Sequence, residues 1–396
     1  MTPTKTLLCV IAIALVLVIS ANAERVLYSF LGGSDGGSVY SGVVMDQAGK
    51  IYGTASSGGA YGCGVVYQLT VVAGAWTETV LHNFNSAAGD GCSPYAGLMI
   101  DAAGNLYGTT FYGGATNQGT AFELVKNAGT WSETILHNFG ATITDGTNPY
   151  GGLVLDNAGY LYGTTENGGK FSSGTVFRLR KLVTGKWAEV LLHQFNYTAG
   201  GAPLSTLAFD SAGNLYGTTE YGGRYQHGTV FRLTRTPTGA WGFKMLHQFN
   251  PATGDGYLPQ SGVVVDASGS VYGTTLYGGS GNGTVYRVYL NSSGVWNEVI
   301  IHSFQYENDG INPYGALAID SAGNLYGTTW QSLIGNTGGA GIVFKLTPSS
   351  GSWSETVLQN FVTGAGNPYS GVLLHEGHIY GTSYFGGYGN GTVYEL

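Results

Sequence analysis

The sequence is poor in charged residues, and basic residues are the scarcer kind. Of its 396 residues only 15 are Lys or Arg and 23 are Asp or Glu, which gives a formal net charge of −8. Proteins that bind nucleic acid need patches of basic side chains to neutralise the phosphates. The composition therefore argues against a nucleic acid partner.

Long apolar runs are absent after the first 23 residues. Within those 23, Lys5 precedes an apolar run from Leu7 to Ile19, and "ANA" stands before Glu24, which is the pattern of a secretory signal. The run is too short to span a bilayer comfortably, and no lipobox-like cysteine follows it. We expect a signal peptide at residues 1–23, cleavage near Ala23, and a soluble secreted or periplasmic protein without a membrane span.

Helical periodicity is also missing, and the glycine content does not indicate disorder. The 68 glycines come with 13% aromatic and 43% hydrophobic residues, enough apolar material to form a core. Short β-like runs alternate with Gly, Asp, Asn and Ser clusters. An all-β protein is expected.

A Tyr-Gly-Thr step recurs seven times, every 54 to 56 residues. Its tyrosines are Tyr52, Tyr107, Tyr162, Tyr216, Tyr272, Tyr326 and Tyr380. Each unit contains four strand-like runs, which favours a propeller blade over a solenoid rung. We predict a seven-bladed β-propeller with blades at approximately 40–84, 95–139, 150–195, 204–249, 260–304, 314–361 and 369–396.

The first hairpin of each blade carries a turn signature. Six units place an aspartate six residues before the tyrosine and a glycine three residues before it, as in "DAAGNLY", and Asp can accept the turn amides while Gly adopts positive φ. Glycine inside a strand usually marks close packing over the backbone. We expect an aromatic ring of the next blade above the glycine of Tyr-Gly-Thr, and no phosphate site, because no helix follows.

The two ends of the chain predict how the ring closes. Residues 24–30, "ERVLYSF", match the fourth strand seen as "ETVLHNF", while the chain ends at "GTVYEL", a third strand. The N-terminal strand should therefore complete the last blade and remove a free sheet edge.

The recurring "GLxxDxxGNLYGTT…GG…GTVFxL…WxExxLHxF" resembles the GloVer tandem-repeat family of secreted bacterial proteins, some with surface anchors, and its first hairpin is similar to NHL-type blades. The resemblance covers nearly all of residues 24–396 and implies export, but no particular biochemical activity. This chain ends within a repeat, with no C-terminal sorting tail, which argues against surface anchoring.

Positions where the repeats differ are the candidates for function. The loop after each Tyr-Gly-Thr should share a face with the crossover into the next blade. Together these loops offer a platform of rings and carboxylates suited to sugars, made of Phe111, Tyr112, Glu166, Glu220, Tyr221, Tyr277, Trp330, Tyr384 and Phe385. The alternative is that these rings only cover neighbouring loops.

Glu166 and Glu220 occupy equivalent places in adjacent units. Sheet packing would separate them by about 10 Å, close to the roughly 6.5–9.5 Å between the two carboxyl groups of inverting glycosidases. A secreted glycosidase or lyase using this pair is one alternative function. No Ser-His-Asp or nucleophile-elbow signature is present.

Aspartates in the crossovers stand on the same predicted face: Asp35, Asp90, Asp145, Asp255 and Asp309. Asp-Gly steps usually form turns, and weak calcium binding is the alternative.

The cluster His375, Glu376 and His378 fits a tight hairpin, with metal binding as its alternative. No other cofactor is expected.

Cys63 and Cys92 remain after processing and lie in adjoining loops, so export should oxidise them to a disulfide.

Packing is the expected role of two repeated side-chain sets: His82, His137, His193, His247 and His302, and Trp76, Trp131, Trp187, Trp241, Trp296 and Trp353. Tyr28 and Gln359 replace the histidine in the other two units.

The sequence thus predicts a monomeric, exported binding or scaffolding propeller. Its expected ligand is a polysaccharide or another extracellular polymer, a protein included. A structural envelope component without binding or catalysis is the remaining alternative.

Overall fold

The computed structural model describes residues 24–305, 309–332, 334, 339–361 and 365–396. The predicted signal peptide, residues 1–23, lies outside the described residues. Nearly all regular structure is β-strand, with single 3₁₀ turns at Ser86–Ala88 and Pro251–Thr253. No helix in the described part of the chain is long and apolar enough to cross a membrane.

Seven four-stranded antiparallel sheets form the ring, and the predicted seven-bladed propeller is confirmed. The first strand of each blade is only two or three residues long and lies nearest the axis. The strands are Val44–Met45, Ile51–Ala55, Val65–Val72 and Ala75–Asn83 in blade 1; Met99–Ile100, Leu106–Thr110, Thr120–Asn127 and Thr130–Asn138 in blade 2; Val154–Leu155, Leu161–Thr165, Thr175–Lys181 and Trp187–Gln194 in blade 3; Ala208–Phe209, Leu215–Thr219, Thr229–Arg235 and Trp241–Gln248 in blade 4; Val264–Val265, Val271–Thr275, Thr284–Leu290 and Trp296–Ser303 in blade 5; Ala318–Ile319, Leu325–Thr329, Ile342–Ser349 and Ser352–Asn360 in blade 6; and Leu373–His375, His378–Ser383, Thr392–Glu395 and Arg25–Ser29 in blade 7.

The last blade is closed by the N-terminal strand, as predicted. Arg25–Ser29 pairs antiparallel with Thr392–Glu395, and the Arg25 Nη1 atom lies 3.4 Å from the Glu395 Oε2 atom. Blade 7 therefore has four strands, like the other six blades, and Arg25–Ser29 is its outermost strand.

The aspartate turns form as the sequence indicates. The Asp46 Oδ1 atom accepts the amides of Ala48 and Lys50, and its Oδ2 atom accepts the hydroxyl of Tyr52 at 2.9 Å. The same arrangement recurs in blades 2 to 6. In blade 7, which lacks the aspartate, Tyr380 donates instead to Glu395.

The threonine of Tyr-Gly-Thr links each blade to the next. Its hydroxyl donates to a backbone carbonyl of the segment that leads into the following blade, at 2.7–3.0 Å. The seventh bond runs from Thr382 to the Ser41 carbonyl and completes the circle. The motif therefore serves blade-to-blade packing, as expected.

The aromatic ring above the motif's glycine comes from the same blade, and the prediction of a ring from the next blade is wrong. A Cβ atom on Gly108 would lie 2.5 Å from Cζ of Phe122, its partner across the second and third strands. Antiparallel pairing places these two residues directly opposite each other, so the ring folds over its own sheet.

The same rings then form the core between blades. Phe122 meets Phe84 of blade 1 at a centroid distance of 5.1 Å, and Phe177 meets Phe139 of blade 2 at 5.0 Å. Both rings of each pair are fully buried. We call the space between consecutive blades a junction and name it by its blades, as in junction 1/2.

Crossovers and second-to-third-strand loops lie on one face of the ring, as predicted. Short ladders pair each crossover with the loop of the blade it enters, as at Gly91–Cys92 with Tyr112–Gly113, Gly146–Thr147 with Asn167–Gly168, Gly256–Tyr257 with Tyr277–Gly278, Gly310–Ile311 with Gln331–Ser332, and Ala365–Gly366 with Phe385–Gly386. The aspartate turns lie at the opposite ends of the strands.

Candidate functional site

Seven equivalent residues, one from each blade, surround the axis on the loop face. They lie where each crossover meets its first strand and line an axial cavity of about 130 Å³. The seven are Tyr40, Tyr95, Tyr150, Leu204, Gln260, Tyr314 and Tyr369. These residues occupy the same position in each repeat, so they lie at the same distance from the axis. A change of residue type at this position therefore makes one side of the axial opening different from another.

The tyrosines form a continuous aromatic arc. Tyr40 contacts Tyr95 and Tyr369 edge-on at 5.1 and 5.2 Å, Tyr95 stacks on Tyr150 at 5.3 Å, and Tyr369 stacks on Tyr314 at 4.6 Å. Such offset and edge contacts stabilise aromatic clusters and fix the ring orientations.

Loop residues four positions after the tyrosine of Tyr-Gly-Thr add a second layer. Phe111 lies against Tyr95 at 5.4 Å, Trp330 against Tyr369 at 5.7 Å, and Tyr384 against Tyr40 at 4.5 Å. The structure thus brings three of the predicted ligand residues into one aromatic surface.

The remaining part of the rim is polar. Glu166 and Glu220 occupy the same loop position in blades 3 and 4, and Glu220 is buried, with 7% of its surface exposed. The Gln260 amide donates to the Glu220 Oε1 atom. We use the name axial mouth for this whole site: the seven axial residues with Phe111, Glu166, Glu220, Trp330 and Tyr384.

Burial shifts the ionisation of the mouth toward neutral forms. Desolvation raises the pKa of both Glu166 and Glu220, and the Glu220 charge raises that of Glu166 further. Burial beside Tyr369 raises the pKa of Tyr314 to about 12. The mouth therefore offers hydroxyl donors that remain protonated and two carboxyls whose neutral forms burial favours.

The other predicted ligand residues lie farther out. Tyr112, Tyr221, Tyr277 and Phe385 follow the second-layer positions directly and are 37–49% exposed. Tyr277 stacks on Tyr257 of the crossover ladder at 5.5 Å. These rings form an outer rim around the mouth.

Sequence reasoning did not identify the axial tyrosines. Their signal is a fixed position twelve residues before the tyrosine of Tyr-Gly-Thr, or eleven in the shortened last unit. Five of the seven residues at this position are Tyr, in stretches such as "SPYAG" and "NPYGG". Such a high frequency of tyrosine at one loop position indicates that these side chains share an environment.

The crossover aspartates do not gather at one place. Each lies in its own junction: Asp90, Asp145, Asp255 and Asp309 contact His82, His137, His247 and His302 respectively at 2.8–3.2 Å, and Asp35 accepts the Tyr28 hydroxyl. The fifth histidine, His193, stacks on Phe243 at 3.9 Å.

The remaining candidates have local partners. A disulfide joins Cys63 and Cys92 across junction 1/2, with Cα atoms 4.6 Å apart. His378 lies 3.0 Å from Glu395, and Glu376 adopts positive φ in the altered hairpin of blade 7. These contacts agree with the expectation that His375, Glu376 and His378 form a tight hairpin.

Larger clefts open on the opposite face, between the aspartate turns of neighbouring blades. One of them, about 650 Å³, lies between blades 5 and 6 beside Arg287 and Trp353. Related clefts recur between other blades, so they follow from the wedge shape of packed sheets. We therefore place the candidate site at the mouth, where the blades differ.

A family model described as the Gloeobacter/Verrucomicrobia repeat matches residues 16–207 and 181–394. The chain belongs to this repeat family. The two matches overlap at residues 181–207 and together extend over all seven blades. No curated protein matches the chain.

Solved structures with the same fold are distant in sequence. One is a candidate 6-phosphogluconolactonase from Bacteroides uniformis, at 13% identity and a TM-score of 0.53, covering 83% of this chain and 86% of that one. Another is the extracellular domain of a candidate hybrid two-component system from B. thetaiotaomicron, at 13% identity and a TM-score of 0.58. The match spans 93% of this chain but only 39% of that protein. These likenesses show a propeller fold.

Proposed function

We propose that the protein is an exported binding module that recognises carbohydrate at the axial mouth. The observation that carries the proposal is the division of the mouth into an aromatic arc and a carboxyl-amide sector. Sugar rings present apolar C–H faces and a rim of hydroxyls, so a surface of this kind offers partners for both.

The small axial cavity supports binding across the mouth. Pockets that enclose a small molecule are typically about 300–1,000 Å³, whereas the cavity holds about 130 Å³. A polymer chain or chain end lying over the rings therefore suits the site better than an engulfed metabolite.

Export is the context that we propose for this activity. The sequence before Glu24 has the pattern of a signal peptide, and one structural neighbour is an extracellular domain. N-terminal sequencing of protein recovered from the producing cells tests this directly, and Glu24 is the first residue we expect.

Binding is tested on arrays of bacterial, algal and plant polysaccharides, followed by titration calorimetry with the strongest hit. Replacing Trp330 or Phe111 with alanine should weaken binding about tenfold, the worth of one aromatic contact. Tyr160→Ala, on the opposite face, is the matched control and should bind normally. Failure to bind any glycan, or unchanged binding by Trp330→Ala, would refute the proposal.

A glycosidase or lyase is the second candidate, favoured by one observation. Glu166 and Glu220 face the same mouth with pKa values raised by burial, as expected of a carboxyl that serves as a general acid. The double variant Glu166→Gln with Glu220→Gln separates the two functions. A binding module keeps most of its affinity, whereas an enzyme loses turnover of the bound polysaccharide. If the intact protein shows no binding and no turnover of any polysaccharide, a structural envelope component is the favoured function.

A further inference from the structure

Four of the seven junctions contain the same cluster of ionisable side chains. A histidine lies one residue before the end of the fourth strand of one blade, an aspartate follows in the crossover, and a glutamate comes from the fourth strand of the next blade. The four triads are His82, Asp90 and Glu133; His137, Asp145 and Glu189; His247, Asp255 and Glu298; and His302, Asp309 and Glu355.

The polar atoms of each triad converge on one small volume. In every triad the histidine nitrogen and the two carboxylate oxygens lie within 4.8 Å of one another. In junction 5/6 the His302 Nε2 atom lies 2.9 Å from Asp309 and 4.0 Å from Glu355. A tetrahedral Zn²⁺ with bonds of about 2.1 Å holds its ligand atoms about 3.4 Å apart, so small side-chain movements suffice.

Each triad also contains a buried carboxylate oxygen without a hydrogen-bond partner. This oxygen is Oε1 in Glu133, Glu189, Glu298 and Glu355. Junction 4/5 has a second one, the Oδ1 atom of Asp255, on a side chain that is only 8% exposed. Buried carboxylates without partners are costly, and a bound cation is one way to satisfy them.

The other three junctions show that packing alone does not require the triad. In junction 3/4, His193 stacks on Phe243, which stands at the glutamate position, and the crossover that follows contains no aspartate. Both carboxylates are absent together there, and the junction still closes. Junction 6/7 has Gln359 beside Glu24, and junction 7/1 has Tyr28, Asp35 and Glu78.

We propose that each of the four triads binds one divalent transition-metal ion between two blades. The histidine Nε2 atom and one oxygen from each carboxylate would be the protein ligands, with water completing the shell. Imidazole favours ions such as Zn²⁺ over Ca²⁺ and Mg²⁺, which prefer all-oxygen sites. The histidines are 18–21% exposed, so solvent reaches one side of each site.

Zinc content per chain tests the proposal. The protein, purified without a histidine tag, is stripped with a chelator, dialysed against micromolar Zn²⁺ at pH 7.5, and analysed by elemental analysis and native mass spectrometry. We expect four equivalents in the parent protein and three in Glu298→Gln. Replacing all four triad glutamates with glutamine should abolish binding, and Ca²⁺ or Mg²⁺ in tenfold excess should not displace the zinc.

Junction 7/1 provides matched controls. Glu78→Gln should leave four equivalents, because Tyr28 offers no imidazole there. Tyr28→His should create a fifth site, since Asp35 follows that position by seven residues, the same spacing as from His302 to Asp309. Circular dichroism confirms that each variant is folded. Fewer than one equivalent in the parent protein, or four equivalents retained without the triad glutamates, would overturn the proposal.

Discussion

The axial mouth and the junctions are built from the same seven repeats, yet they differ in how uniform they are. At the mouth one position is Tyr in five blades, Leu204 in blade 4 and Gln260 in blade 5. Each of the seven junctions contains an equivalent pair of buried aromatic rings, one from each of its two blades. The ring centroids in these pairs are 4.9–5.2 Å apart. Packing between blades requires the same aromatic contact in all seven junctions, whereas the residues around the axis can differ without disrupting the ring of blades.

The comparison predicts a division of labour between the two regions. Substitutions at the junctions should lower the free energy of unfolding, while substitutions at the mouth should change ligand binding and leave stability nearly intact. The triads are an intermediate case, because four junctions share them and three do not. Three stability experiments test this division, from the largest expected effect to the smallest.

Removing one junction ring should have the largest effect. Phe139 is fully buried and packs on Phe177 at 5.0 Å, so Phe139→Ala leaves a cavity and should cost about 3–5 kcal/mol of unfolding free energy. Tyr112→Ala at the rim, where the side chain is 44% exposed, should cost under about 0.5 kcal/mol. Urea denaturation measures both. Similar losses in the two variants would contradict the division.

The glycine of Tyr-Gly-Thr should be the next most sensitive position. In Gly108→Ala the new methyl group would meet Phe122, and such overpacking costs about 1–3 kcal/mol. A double-mutant cycle with Phe122→Leu should show favourable coupling, because the smaller side chain makes room for the methyl group.

Gly104→Ala is the matched control for that cycle. Its Cβ atom would meet nothing within 4 Å, and its cost arises from a φ of +83°. Phe122→Leu should therefore not relieve it. Equal coupling of both glycines to Phe122 would show that the close contact is not the reason for the glycine in the motif.

The fold was predictable because its signals are local and repeated seven times. The Asp-Gly turn, strand alternation in Tyr-Gly-Thr, and the matching of residues 24–30 to a fourth strand each depend on neighbours in sequence. The wrong prediction, the origin of the ring above Gly108, shows the limit. Spacing indicates that something packs on a glycine, but only strand register shows that it is Phe122 of the same blade.

The sites were less predictable because their residues come from different units. Glu133 meets Asp90 and His82 only after blade 2 packs on blade 1. The axial tyrosines lie in crossovers, where no strand alternation indicates the direction of a side chain. Phe111, Trp330 and Tyr384 could be named from their variation between repeats, yet their contact with the tyrosine arc depends on closure of the ring.

The smallest predicted effect is a pH dependence that arises in the junctions and not at the mouth. In the folded protein burial raises the pKa of Glu78, Glu133, Glu189, Glu298 and Glu355 to about 7, from an ordinary value of 4.5. Between these values the folded state binds more protons than the unfolded state, so stability rises as the pH falls from 7.5 to 6. His137, whose pKa is raised by the carboxylates around it, acts in the same direction, while His193, lowered to about 4 by burial, opposes it below pH 6.5.

Melting temperatures in the presence of a chelator measure this slope without bound metal. The parent protein should melt higher at pH 6 than at pH 7.5. Replacing the four triad glutamates with glutamine should remove most of the difference, because glutamine does not titrate. The double variant of Glu166 and Glu220 to glutamine should keep most of it, since burial raises the pKa of two carboxyls at the mouth and of six in the junctions, Glu24 included. A slope that survives the junction variant but disappears in the mouth variant would place the acid-sensitive groups at the axis and reverse the assigned roles of the two regions.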